Sequence, residues 1–229
     1  MMNLKALSQW VGFTEGAIVL GMGIAVAIAT DAAPVRISSA APTFALPSSP
    51  VARTSDLQDF RDANSPGSIA VGVAEGTRTA DGGITSAYEG HTDPGNAAPN
   101  VGSFSCQPST CQSRTPREAD AELLANRIRP ALSKAAIARP DLTRLEQWVY
   151  ADMLVQAPLA AGAWLQGYSE ADRARGLDGI ADARTRAFYN PAGQLDAPGF
   201  GNDLARLRAD QMRRTRAIAA TYIALSNAE

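Results

Sequence analysis

The chain is predicted to be mainly α (α+β): a helical domain carrying a small irregular β/loop lobe, preceded by an N-terminal hydrophobic helix and a flexible linker. Three observations carry this expectation. From Arg117 onward, apolar residues recur at helical spacing in one segment after another, with proline and glycine between the segments. Between Arg78 and Pro116 that period is lost in a stretch rich in Gly, Thr, Ser and Pro. Ahead of the domain lie an apolar run and an Ala/Pro/Ser-rich stretch with neither a helical nor a strand period. The 229 residues suit one domain plus an appendage. A net charge of −2 offers no basic surface, so nucleic acid is not expected as a partner. No internal repeat is found.

Residues 1–30 hold an uninterrupted apolar run, Gly16 to Ala29, of about fourteen residues. That falls short of the ~20 that span a bilayer. Extension back to Trp10 reaches the length but includes Glu15. Ala27-Ile28-Ala29 matches the small-x-small pattern of a signal-peptidase site. Two readings stand: an uncleaved membrane anchor with Trp10 near the headgroups, which is the one adopted, or a cleaved signal. Either exports the remainder, to the periplasm or cell envelope, with the inner membrane as partner of the anchor. Residues 31–55 lack the apolar periodicity that would offset their ordering entropy and read as a tether. As a flexible coil the tether spans roughly 25–30 Å.

The domain is placed at 56–229. Asp56 to Asp62 is expected to form a short helical turn. Ser65-Pro66 reads as a helix start, with Ser as N-cap and Pro at the first helical position. Ile69, Ala70 and Val73 share a buried face, and Gly76 ends the helix in the left-handed region. Asp81-Gly82-Gly83 and Asp93-Pro94-Gly95-Asn96 are turn signals, with short strands expected over Ile84–Tyr88 and Val101–Phe104. Arg117 to Ala138 is expected to be helical, kinked or broken at Pro130. A helix over Leu142 to Gln156 is capped by Asp141, and its core contacts are Leu145, Trp148, Val149, Asp152 and Met153. Leu159 to Leu165 is a short helix ended by Gly167. Another stretch opens at Ser169, with breaks at Gly176 and Gly179, and ends at Tyr189-Asn190-Pro191. Asn202 caps a last helix whose Leu204, Leu207, Gln211, Ile218 and Tyr222 follow the helical period.

The chemistry is expected in Ser68 to Gln107, which holds the one histidine and one of two cysteines. Glu75 is the last helical side chain, at the mouth of the polar loop. A carboxylate there feels the negative end of the helix dipole and, when covered, a desolvation penalty; both favour the neutral acid. A protonated carboxyl near neutral pH is what glycosidic cleavage needs to protonate a leaving-group oxygen.

The helix, then Glu-Gly-Thr, then a loop with Tyr88, resembles the catalytic start of phage lambda-type endolysins. The run AEGTRT…DGG…AYEGHTDPGN…N.GSFS.Q resembles more closely a group of bacterial lysozyme-like, muramidase-type proteins. The similarity continues in APLA, ARTRAFYNP, DAPGFGN and DQMRRTRAI, over roughly Ile69 to Ile218. Glu89 stands where an aromatic is usual, and Cys106 where a Tyr is usual. The resemblance implies a lysozyme-like catalytic domain that cleaves the glycan strands of peptidoglycan, with Glu75 as general acid and no metal or organic cofactor required. It also leaves a place for cell-envelope machinery as a partner.

Several readings stay open. Asp81, Glu89 and Asp93 all lie in the loop, and one of them, with Asp93 retained as the catalytic candidate, would activate water. Without such a base the sugar's own N-acetyl or 6-hydroxyl group completes the reaction, as in a lytic transglycosylase. Thr77, Tyr88, His91, Asn96, Phe104, Gln107 and Tyr189 are the candidate substrate contacts, since aromatic faces and amide edges suit pyranose rings. A metal is not expected, because His91 with Cys106 and Cys111 supplies three ligands where zinc takes four. A cysteine peptidase lacks a nucleophile at a helix start. Cys106 and Cys111 are instead candidates for a disulfide. Arg206, Arg208, Arg213, Arg214 and Arg216 make the last helix basic, either as a solvated face or as a surface for anionic wall polymer. A catalytically inactive wall-binding or scaffold module is the alternative to the enzyme.

Overall fold

A computed structural model of the chain describes residues 54–93, 97–107, 109–112 and 115–226, with side chains from Leu57 onward. The anchor or signal segment (1–30) and nearly all of the tether (31–55) lie outside the described residues. Among the described residues no helix is long and apolar enough to cross a membrane. The described part is mainly helical, with one two-stranded antiparallel sheet.

A short 3-10 helix, Thr54–Phe60, leads into α1, Pro66–Glu75. α1 is buried over nearly its whole surface, Gly67 to Gly72 and Ala74, as expected of a helix apolar on every side. It packs against α9, α5 and the leading 3-10 helix. Gly67 allows the last of these contacts, because a Cβ there would stand 2.5 Å from the Phe60 ring. Ser65 is the N-cap, but its side chain accepts no helix N–H; it binds the Asp62 backbone N–H and carboxylate instead. Gly76, at φ 79°, ends α1 as expected.

The lobe that follows differs from the expected strands. Ser86–Glu89 is one helical turn, α2, and the paired strands are β1, His91–Thr92, and β2, Pro99–Asn100. Ile84 and Val101 make only isolated bridges, to Arg78 and Cys106. Neither expected strand, Ile84–Tyr88 nor Val101–Phe104, is formed, because the loop turns too tightly for a longer ladder.

Next come α3 (Pro116–Leu123), a π turn (Leu124–Ile128) and α4 (Arg129–Ala138). The expected break at Pro130 is absent. Proline lacks the N–H that an α-helix would use at this point, and the widened turn just before it absorbs the mismatch. Leu123, Leu124, Ile128 and Leu132 are all buried, as their spacing requires.

α5, Arg144–Gln156, is capped by Thr143 rather than Asp141: Thr143 and Glu146 form a reciprocal capping box. Asp141 is drawn away into a bidentate pair with Arg139. α6 spans Pro158–Gly167, α7 Glu170–Arg173 and α8 Gly176–Arg186. A break occurs at Gly176 but not at Gly179, which lies within α8 pressed against the Asp172 carbonyl. α9 runs Leu204–Ser226. Its cap is Asp203, whose Oδ1 accepts from the N–H groups of Ala205 and Arg206, whereas Asn202 folds back to the Ala197 N–H. Leu204, which follows the helical period of the core residues, is exposed at the first turn. Trp148, Trp164, Ile180, Leu207 and Ile218 lie in one core with Phe60 and Val71.

Candidate active site

Glu75 reaches the end of α1 because Gly76 turns the chain there. Three residues later Arg78 folds back to hold the loop. Its Nε donates to Ser103 Oγ at 2.9 Å, and its Nη1 to Asn64 Oδ1 and the Gly82 carbonyl, both at 3.1 Å. Ser103 is the centre of this anchor. Its N–H and hydroxyl both donate to Asp120, at 2.7 and 2.9 Å, and its carbonyl lies 2.7 Å from the Thr77 hydroxyl. Burial pushes the Asp120 carboxyl up, against the pull of its Ser103 hydrogen bonds and of Arg78. The long loop is thus tied to α1 and α3 at its middle, which fixes the wall facing Glu75.

Glu75 forms one wall of a cleft of about 310 Å³. Asp93, Asn100, Phe104, Cys106 and Gln107 come from the loop; Leu123 and Arg127 come from α3 and the π turn; Gln156 and Pro158 come from the α5–α6 junction. The Glu75 side chain is 9% exposed. Arg214 of α9 donates to its Oε1 at 2.7 Å. The same guanidinium contacts Asp152 Oδ1 at 2.9 Å and Asp210 Oδ2 at 3.1 Å.

Behind this pair lies a buried polar network. Fully buried Arg184 holds the other oxygen of Asp152 and donates to Gln211 at 2.7 Å and to Gln156 at 3.3 Å. Gln156 in turn donates to Asp210 at 2.9 Å. Burial works against the charge on Arg214, but Glu75 and Asp152 outweigh it and hold the guanidinium well above its ordinary value. At Asp210 burial pushes upward; Arg214 and Arg213 prevail, and the carboxyl is lowered. Arg213 also donates to the Ala74 carbonyl at 2.9 Å, so a cation covers the negative end of α1.

These contacts correct two expectations. The helix end and its burial do not act alone on Glu75, because a guanidinium is already bound to it. The last helix is not uniformly a solvated face: Arg214 is buried, and Arg208 pairs with Asp182 at 2.8 Å.

Glu75, Asp93, Phe104 and Gln107 are brought to one cleft. Thr77 is fully buried, with its hydroxyl on the Ser103 and Gly72 carbonyls. Tyr88 is buried beneath the Arg78 guanidinium, 5.3 Å from its ring centroid; burial, with Asp120 beside it, pushes the phenol up. His91 makes its contacts with the loop: Nδ1 lies 2.9 Å from the Ala87 carbonyl and Nε2 lies 3.4 Å from Ser105 Oγ. Tyr189 lines a neighbouring groove of about 710 Å³ that shares Gln156 and Pro158 with the cleft. Asn96 lies outside the described residues. Asp81 and Glu89 are exposed and are not among the cleft residues; Asp81 is held in its own turn by Thr79 and the Gly83 N–H. Cys106 and Cys111 are joined by a disulfide, with Cα atoms 6.1 Å apart, so neither is a free thiol.

Arg78, Ser103, Asp120, Asp152, Arg184 and Arg214 were not expected at the site. A signal for Arg214 existed: Leu207, Gln211, Arg214 and Ile218 fall on one helical stripe, and all four are buried.

Compared with family models, with curated proteins and with solved structures, the chain matches none.

Proposed function

We propose that the domain cleaves the glycan strands of peptidoglycan, with Glu75 as the proton donor to the leaving oxygen. One observation carries the reading: Glu75, at the end of a buried helix, shares a cleft with Asp93 and with the loop residues Phe104 and Gln107. Only one Glu75 oxygen is bound by Arg214, which leaves Oε2 for a proton and a glycosidic oxygen. Asp93 is the group to activate water if the reaction is hydrolysis. If the sugar's own hydroxyl attacks, Asp93 shapes its turn and Glu75 alone moves protons, as in a lytic transglycosylase. No metal or organic cofactor takes part in either route. The Cys106–Cys111 disulfide suits an oxidising compartment such as the periplasm. Anchoring in the inner membrane through residues 1–30, and work beside cell-envelope machinery, complete the proposal.

The Arg214–Glu75 ion pair favours a second reading: a peptidoglycan-binding or scaffold module that keeps the cleft and has lost turnover. Incubation of the purified full chain with insoluble peptidoglycan separates the two. The enzyme releases soluble glycan fragments, whose masses show reducing ends for a hydrolase or anhydro ends for a transglycosylase. The module sediments with the wall and releases nothing.

A further inference from the structure

Arg127 lines the Glu75 cleft from the π turn. The cleft's other guanidinium, Arg214, is fully committed to Glu75, Asp152 and Asp210. Arg127 has no hydrogen bond or ion pair among the described residues. A π turn is an uncommon departure from the α-helix and recurs at functional positions, where it redirects side chains. Across the same cleft, Asn100 is buried, and its Oδ1 has no hydrogen-bond partner among the described residues. A cleft with one uncommitted guanidinium and one uncommitted buried amide oxygen is built for a ligand with an anion and an N–H.

Resting on the glycosidase reading, we infer that Arg127 binds a carboxylate carried by the glycan strand and that Asn100 accepts the N–H of an acetamido group. Both groups occur on peptidoglycan sugars: every ring bears a 2-acetamido group, and alternate rings bear a lactyl ether ending in a carboxyl. That carboxyl is free on stripped strands and amide-linked to a peptide stem on intact ones, where the stem supplies carboxylates of its own. The cleft therefore selects acid-bearing strands over neutral chitin-like ones. A guanidinium–carboxylate contact is charge-assisted and about twice as strong as a neutral hydrogen bond.

The test is calorimetric binding to the full chain of three disaccharides of N-acetylglucosamine and N-acetylmuramic acid: lactyl carboxyl free, lactyl carboxyl converted to a simple amide, and lactyl carboxyl linked to a peptide stem. The native chain is expected to bind an acid-bearing form about tenfold more tightly than the simple amide. Arg127→Gln should bind all three alike, at the native affinity for the amide, and Arg127→Lys should keep part of the preference. Preference for the free form assigns the lactyl carboxylate, and preference for the stem form assigns a stem carboxylate. Asn100→Ala should weaken all three forms equally. Equal binding of acid and amide forms by the native chain overturns the inference and leaves the glycan reading intact. So does a preference that survives in Arg127→Gln. Failure of the native chain to bind any of the three overturns both.

Discussion

Arg214 Nη1 stands 2.7 Å from Glu75 Oε1, joining two helices 139 residues apart in the chain. The same guanidinium holds Asp152 and Asp210, so the carboxylate at the cleft is fixed through the core rather than through its own loop. Removal of Arg214 leaves buried Asp152 with Arg184 alone and leaves Glu75 without its cation. Loss of one partner from a buried pair destabilises by about 3–5 kcal/mol. Arg214→Gln is therefore expected to lower unfolding free energy by about 3 kcal/mol in urea titration. A loss below about 1 kcal/mol would contradict the network.

Stability should fall in acid, with a sign set by the carboxyls. Arg214 and Arg213 hold the Asp210 carboxyl below its ordinary value in the folded protein, as Arg139 does for Asp141 and Arg208 for Asp182. A lowered group contributes stability that is present above the unfolded value and lost as pH falls through the folded one. The thermal midpoint should drop as pH goes from about 5 toward 2. Asp210→Asn should begin less stable and lose less over that range; an equal slope would contradict the assignment.

Asp120 works in the opposite sense. Burial raises its folded value above the unfolded one, so its contribution is full below the unfolded value and lost as pH rises through the folded one. Asp120→Asn should therefore compare worst with the native chain near pH 4 and best near pH 7. Paired thermal melts at the two pH values measure this. A variant that compares better at pH 4 would reverse the sign.

The disulfide closes a loop only five residues long, so its removal should be modest, about 2 kcal/mol. Cys106→Ser with Cys111→Ser should keep most wall-cleaving activity while lowering the thermal midpoint. Complete loss of activity in a folded double variant would return the cysteines to the chemistry.

Much of the fold was legible because helices announce their buried stripe: Leu123, Leu124, Ile128 and Leu132 are inside as their spacing requires. The caps were legible only to within two residues, since Asp141 and Thr143, or Asn202 and Asp203, compete for the same helix end, and a competing partner decides: Arg139 takes Asp141, and the Ala197 N–H takes Asn202. The loop's internal ties were not legible. Nothing near Ser103 in sequence announces Thr77, Arg78 and Asp120, which meet it from 17 to 26 residues away. Glu75 was legible from Gly76 and the helix before it, whereas its partner Arg214 was obscured by the four other arginines of its helix.

Glu75→Gln tests the central claim most directly. The amide keeps the shape and one acceptor for Arg214 but cannot donate the proton. Acid–base assistance is worth about 10²–10⁴-fold, so the rate of peptidoglycan solubilisation should fall by that factor. Binding to sedimented wall should remain, and unfolding should show the chain still folded. Asp93→Asn belongs in the same assay: an equal fall gives it the water-activating role, and a small one leaves it to shape its turn. A folded Glu75→Gln chain that releases glycan fragments at the native rate would contradict the account.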